Sequence, residues 1–286
     1  MCDSSKVIVY IPNTTFAYLL ITDSSELAMA ISHIYHPYAR NDSMCFDNKV
    51  TMSTIEYYLC NPTSLRVTAP DVDEVYMLTV FPKQVVAIIS QIIQYSLLTV
   101  KPHNLFHGAA VNINGKTVVF FGKSGTGKST FITYLLHSCD CSYIAEDVLN
   151  INYSNNKILP FPRPLHLRAD TPNFLNINYG IRVNTLYSKS GEFERSLFIP
   201  SKYFDYDNEV DIDLYVMLSR SSISEIVLKQ DAKDKRNLLL HSCFLPRNLH
   251  INMESCIKLS NKHEIYELSV LDLSISAILL NELTRG

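Results

Sequence analysis

Residues Gly122 to Ser129 read GKSGTGKS and fit the spacing G-x-x-x-x-G-K-[ST]. In this pattern successive backbone N–H groups point inward at phosphate oxygens, and glycines let the chain curl closely around them. Lys128 supplies a point charge for the terminal phosphates and Ser129 a hydroxyl for Mg²⁺. The candidate binding residues are therefore Gly122, Lys123, Ser124, Gly125, Thr126, Gly127, Lys128, Ser129 and Thr130. A Mg²⁺-binding loop needs an acid at the end of a nearby strand, and the segment YIAEDV offers Glu146 and Asp147. His107 stands immediately before Gly108, ahead of the strand that feeds the loop. Taken alone, such a histidine is more often an ordinary packed or surface residue.

Positioning these groups requires a strand before the loop and a helix after it. Of the eight glycines in the chain, Gly108, Gly115, Gly122, Gly125 and Gly127 fall within twenty residues, so backbone freedom is concentrated here. The run AAVNINGKTVVFF predicts a hairpin turning at Asn114–Gly115 into a buried strand, and TFITYLLHS has helical spacing. CSYIAEDVLNINY predicts a second buried strand ending in the two acids. The proline-punctuated KILPFPRPLHLR brings Arg163 and Arg168, which are candidate phosphate or substrate contacts by residue type. Further on, IDLYVML and EIVLKQ predict strands, while AKDKRNLLLHSC and DLSISAILLNELT predict helices.

The first hundred residues alternate strand-like runs (KVIVYI, FAYLLI, TIEYYLC, VYMLTVF) with two helical patterns. The first helical pattern opens at Ser24 and Ser25, and the second follows Pro82. No chemical constellation lies there, which suits a packing or partner-recognition lobe. The expected organisation is an α+β lobe over residues 1–103 and a phosphate-loop domain over 104–286.

Composition narrows the function classes. The 286 residues are 47% hydrophobic and 19% charged, enough to bury a core, and the net charge of -3 gives no electrostatic reason to expect nucleic acid. Seven scattered cysteines without a CxxC pair argue against a disulfide framework or a zinc site. The apolar run 84–100 is broken by Ser90, Gln91, Gln94 and Ser96, so it reads as an amphipathic helix and not a membrane span. Cytoplasmic localisation is the expectation. NKHE at 261–264 lacks the Asp of a GTPase specificity tetrapeptide, which weakens that class.

The spacing of His107-Gly108, Val111, Gly115, Val118, Gly122, Ser124-Gly125, Gly127-Lys128-Ser129 and Ala145-Glu146-Asp147 resembles the HPr kinase/phosphorylase family. It is more similar still to the HPr-kinase-related proteins of peptide-tailoring clusters, including lasso-peptide precursor kinases. In those, segments like PFPRPLHLR and the stretch from Tyr266 to Ala277 recur. The resemblance covers roughly residues 104–280 and implies an α/β fold shared with phosphoenolpyruvate carboxykinase, a mixed sheet with flanking helices and an embedded phosphate loop. It also implies ATP and Mg²⁺, with Lys128 and Ser129 on the phosphates and metal, Asp147 as the metal-side acid, and Glu146 in the place of the catalytic Asp. His107 would support the transferring phosphoryl group, with Lys128 neutralising its charge.

The implied activity is phosphoryl transfer to a hydroxyl, most simply a serine, of a peptide or small protein. The alternatives are a small-molecule hydroxyl kinase and a non-catalytic nucleotide-binding switch or assembly module. Relatives of the fold are often oligomeric, so a homo-oligomer is compatible with the resemblance. Two departures stand out: Glu146 replaces the usual Asp, and the glycine-rich signature linked to phosphorylase activity is missing. The second argues against HPr itself as substrate and against the reverse reaction.

Overall fold

The computed structural model describes residues 5–10, 16–35, 39–40, 51–61, 64–69, 72–77, 88, 103–152, 154–160, 165–168, 182–187, 194–198, 208–242 and 249–286. The chain divides into two compact units, one comprising residues 1–96 and 166–199 and the other 97–165 and 200–286. The division at 96/97 falls slightly before the expected boundary at 103/104, and segment 166–199 groups with the first unit. That grouping reflects contacts distant in sequence, which local patterning does not reveal.

In the first unit, β1 (Ser5–Tyr10), β2 (Phe16–Thr22), β3 (Ala39–Arg40), β4 (Thr51–Asn61), β5 (Ser64–Ala69) and β6 (Val72–Met77) form a sheet in the order β3-β1-β2-β4-β5-β6. Helix α1 (Ser25–Ile34) starts where expected, because Ser24 accepts a hydrogen bond from Leu27 N at 3.3 Å. Its apolar side lies against β1 and β2, burying Leu27 and Ile31 completely. The helix expected after Pro82 falls outside the described residues, apart from Ile88. Strands β13 (Leu165–Arg168), β14 (Arg182–Tyr187) and β15 (Glu194–Phe198) form a separate three-stranded sheet.

The second unit is mixed α/β. Strands β7 (His103–Phe106), β8 (Gly108–Ile113), β9 (Lys116–Phe121), β10 (Cys141–Glu146), β11 (Leu149–Asn152), β12 (Lys157–Leu159), β16 (Val210–Asp211), β17 (Leu214–Arg220), β18 (Glu225–Lys229) and β19 (Ile265–Val270) build two sheets. The six-stranded sheet runs β10-β8-β9-β17-β19-β18, and the four-stranded one β16-β12-β11-β7. In the larger sheet β9, β17 and β19 are parallel neighbours, whereas β8 is antiparallel to both β9 and β10. The β8–β9 hairpin turns at Asn114 (φ 54°) and Gly115 (φ 80°), where both residues take the left-handed backbone that a two-residue turn of this kind requires.

The strand expected in CSYIAEDVLNINY ends at its acids, with β10 closing at Glu146, and the residues after them form a further strand. β10 pairs with β8 in the larger sheet, and β11 pairs with β7 in the smaller. Both are buried along their whole length, so their hydrophobicity carries no mark of the break between them.

Helices cover the larger sheet. Helix α2 (Lys128–Ser138) packs on β8 and β10, and α5 (Leu273–Arg285) on β18 and β19. Helices α3 (Ala232–Ser242) and α4 (Leu249–Lys262) pack on each other and touch β9 and β7 respectively. Between the two sheets and α3 and α4 lies a core that includes Phe106, Phe121, Tyr215, Leu239 and Leu259. Phe121 stacks on Tyr215 with centroids 5.9 Å apart and planes 10° from parallel. Phe120, pointing the other way from the same strand, meets Phe131 of α2 edge-on at 5.9 Å. Among the described residues no helix is long and apolar enough to cross a membrane.

Candidate functional site

The glycine loop joins the end of β9 directly to the start of α2, as its spacing required. Gly127 caps the helix with φ 95° and ψ 18°, a left-handed conformation that an L side chain resists. Gly122 fills a tight place at the strand exit: a Cβ there would stand 2.8 Å from Leu218 O and 2.9 Å from Thr126 Oγ1. Thr126 closes the loop on itself, its hydroxyl donating to Lys123 O at 2.9 Å. Lys123, Ser124 and Gly125 are exposed at the tip, so the loop's crest is open to a ligand.

Lys128 is only 6% exposed. Its Nζ donates to Gly122 O at 2.7 Å and Lys123 O at 3.3 Å, which folds the side chain back over the loop. Burial pushes its pKa below the usual lysine value, and the charges of Glu146 and Asp147 partly oppose that shift.

The two acids are positioned by a shared crossover between sheets. Phe106 of β7 faces Leu149 of β11, and Ala109 of β8 faces Glu146 of β10. Between these registers lie His107-Gly108 on one chain segment and Asp147-Val148 on the other, so both segments pass from the small sheet to the large one side by side. Gly108 is needed for this close passage: a Cβ would lie 2.6 Å from both Phe120 O and Leu149 Cδ1. His107 N donates to Ser242 O at 2.5 Å, anchoring the crossover to the end of α3. Asp147 itself adopts φ 69°.

Two contacts pair these groups. Ser129 Oγ donates to Glu146 Oε1, joining the first turn of α2 to the end of β10. His107 Nε2 stands 3.6 Å from Asp147 Oδ1, and both side chains are about one-third exposed, 32% and 31%. Glu146, by contrast, is 4% exposed. The deeper acid thus meets the loop hydroxyl, while the shallower acid meets the histidine and open space.

Chemically, the arrangement offers a backbone cradle, one buried cation, a hydroxyl–carboxylate pair and an outlying imidazole–carboxylate pair. Among the described residues no cluster of three or more His, Cys, Asp or Glu side chains surrounds a common point. The donor set fits Mg²⁺, which keeps several waters and combines one or two carboxylates with ligand phosphates. Ser129 and Glu146 are the residues that would hold it.

Lys123, Ser124, Thr126, Lys128, Ser129, Thr130, Glu146, Asp147 and His107 thus lie on adjoining elements of one unit. Arg163 falls outside the described residues, and Arg168 ends β13. Sequence patterning passes over Leu218, whose backbone closes the side of the glycine loop, because an apolar strand residue carries no distinguishing signal. It also passes over Thr133, whose hydroxyl bonds Ser129 O at 2.7 Å within α2.

No family model and no curated protein matches the chain. Among solved structures, the chain is similar to the HPr(Ser) kinase/phosphatase from Coxiella burnetii at 12% sequence identity. That match has a TM-score of 0.34 and covers 63% of this chain and 88% of the other.

Proposed function

We propose that the chain binds ATP with Mg²⁺ on Gly122–Ser129 and transfers the γ-phosphoryl group to a hydroxyl acceptor. The observation that carries this reading is the Ser129–Glu146 contact at the mouth of a strand–glycine loop–helix unit, with His107 and Asp147 beside it. A glycine loop of purely structural purpose would need neither the buried lysine nor the acid on the loop hydroxyl.

In this reading the loop N–H groups and the N-terminal end of α2 bind the phosphates, and Lys128 exchanges its carbonyl partners for phosphate oxygens. Ser129 and Glu146 would hold Mg²⁺, which would supply neutralisation of the phosphate charge. Asp147, the more open acid, receives the acceptor's proton, and His107 orients its carboxylate. The bond from acceptor oxygen to γ-phosphorus forms as the bond to the β-bridging oxygen breaks, and ADP leaves with that electron pair. These roles exchange those of Glu146 and Asp147 relative to the family pattern.

The acceptor we assign is a seryl hydroxyl on a peptide or small protein such as a ribosomal precursor peptide. The motif resemblance supports that choice. The test is transfer of label from γ-labelled ATP, with Mg²⁺, to candidate peptides, comparing the parent chain with Lys128→Ala and Asp147→Asn. Labelling by the parent and its loss in both variants is expected. A parent that binds ATP and labels no peptide, including the one encoded beside it, removes the peptide-kinase reading.

A further inference from the structure

The parallel strand β17 lies beside β9 on the side of the glycine loop away from Glu146, and its carboxyl end flanks the site. The register pairs Met217 with Phe121, so Leu218 is level with Gly122. Its Cβ would be 3.6 Å from a Cβ on Gly122. Two residues further, about 7 Å along the strand, β17 ends at Arg220, beyond the level of Gly122.

Side chains alternate along β17. Tyr215 and Met217 enter the core shared with α3 and α4. Val216, Leu218 and Arg220 therefore face the side covered by α2 and α5. Arg220 is exposed, and among the described residues none holds its guanidinium.

The backbone that carries Arg220 is fixed from beyond. Ser224 Oγ accepts from Leu271 N at 3.2 Å and from Asp272 N at 3.0 Å, tying the loop after β17 to the turn that starts α5. A cation on a tethered strand end, one strand spacing from a phosphate-type loop, stands where ligands bind in open sheets: outside the carboxyl ends of parallel strands.

We infer that Arg220 is a second cationic contact to the bound nucleotide's polyphosphate, placed across the loop from Glu146. The inference rests on the nucleotide reading above. Lys128 and one divalent cation leave a triphosphate with net negative charge, and a planar guanidinium on the opposite flank complements it through paired N–H donors.

The test is equilibrium titration of the full chain with MgATP and with AMP, for the parent, Arg220→Ala, Arg220→Lys and Arg285→Ala. Arg285 is an equally exposed cation at the far end of α5, about 20 Å along the helix, and controls for loss of charge alone. Arg220→Ala is expected to weaken MgATP about tenfold to a hundredfold, with Arg220→Lys intermediate. AMP, which lacks the β- and γ-phosphates, should change by less than about threefold, and Arg285→Ala should match the parent. If the parent binds MgATP and Arg220→Ala binds it equally well, this inference alone is overturned. It is overturned as well if AMP loses as much as MgATP. A parent that binds no nucleotide overturns both readings.

Discussion

The hydroxyl of Ser129 donates to the carboxylate of Glu146, across the gap between the first turn of α2 and the end of β10. The acid nearest the loop hydroxyl is therefore the glutamate and not the aspartate that follows it.

A first prediction separates the two acids. Glu146→Gln keeps an acceptor for Ser129 but removes the charge, so affinity for Mn²⁺ in the presence of ADP should fall about tenfold to a hundredfold, read by electron paramagnetic resonance. Asp147→Asn should leave Mn²⁺ affinity within about threefold and slow phosphoryl transfer about a hundredfold or more. If Asp147→Asn is the variant that loses the metal, the roles of the two acids are the reverse of those proposed.

A second prediction concerns the buried ammonium of Lys128. Its folded pKa is depressed below 10.5 by burial, so the charged form of Lys128 opposes folding. Lys128→Met should raise Tm at pH 7 by about 2–4 °C while abolishing ATP binding. From the lowered folded pKa up to 10.5, the unfolded chain binds more protons than the folded one, so the parent gains stability as pH rises. The advantage of Lys128→Met should therefore shrink over that window. Thermal scans of both proteins across pH test it, and an advantage that stays constant with pH would contradict the assignment.

Much of the fold and of this site was legible because the signals are local. The Asn114–Gly115 turn, the Ser24 cap and the glycine loop with its helix each declare themselves within a few residues. The strand end at the two acids was legible as well, but the change of sheet after it was not, because β10 and β11 are equally buried. The pairing of Ser129 with Glu146 depends on strand register, which no spacing along the chain encodes. Helix α4 also went unnamed, since LHINMESCIKLSNK mixes apolar residues with weak helix formers such as Asn, Ser and His. Likewise, placing segment 166–199 with the N-terminal residues requires contacts that only the folded chain supplies.

Gly108 provides a third prediction. Alanine there would put a methyl group 2.6 Å from a backbone oxygen that cannot move without disturbing β9. Gly108→Ala should lower stability by about 1–3 kcal/mol in denaturant titration. Unchanged stability would mean that the two crossing segments are not packed as closely as described.

The fourth lies in the core. Tyr215 Oη donates to Asn156 Oδ1 at 2.6 Å, and both residues are buried. Tyr215→Phe strands the Asn156 carbonyl and should lower stability by about 1–3 kcal/mol. MgATP affinity should be unaffected, because the lost hydroxyl belongs to the core shared with α3 and α4. A loss of affinity without a loss of stability would link that core to the nucleotide site.

The left-handed backbone at Asp147 bears on why these two acids occur in this order. Asp and Asn enter that conformation several times more readily than longer or branched side chains, whereas Glu146 ends a regular strand that accepts almost any residue. Position 147 is thus restricted twice, by the bend and by its contact with His107, while position 146 is restricted only by the reach to Ser129. An exchange of the two acids would leave net charge and composition untouched yet place the strain on a glutamate and shorten the arm that must cross to α2. The extra methylene of Glu146 stands at the one place in the pair where the chain has latitude for it.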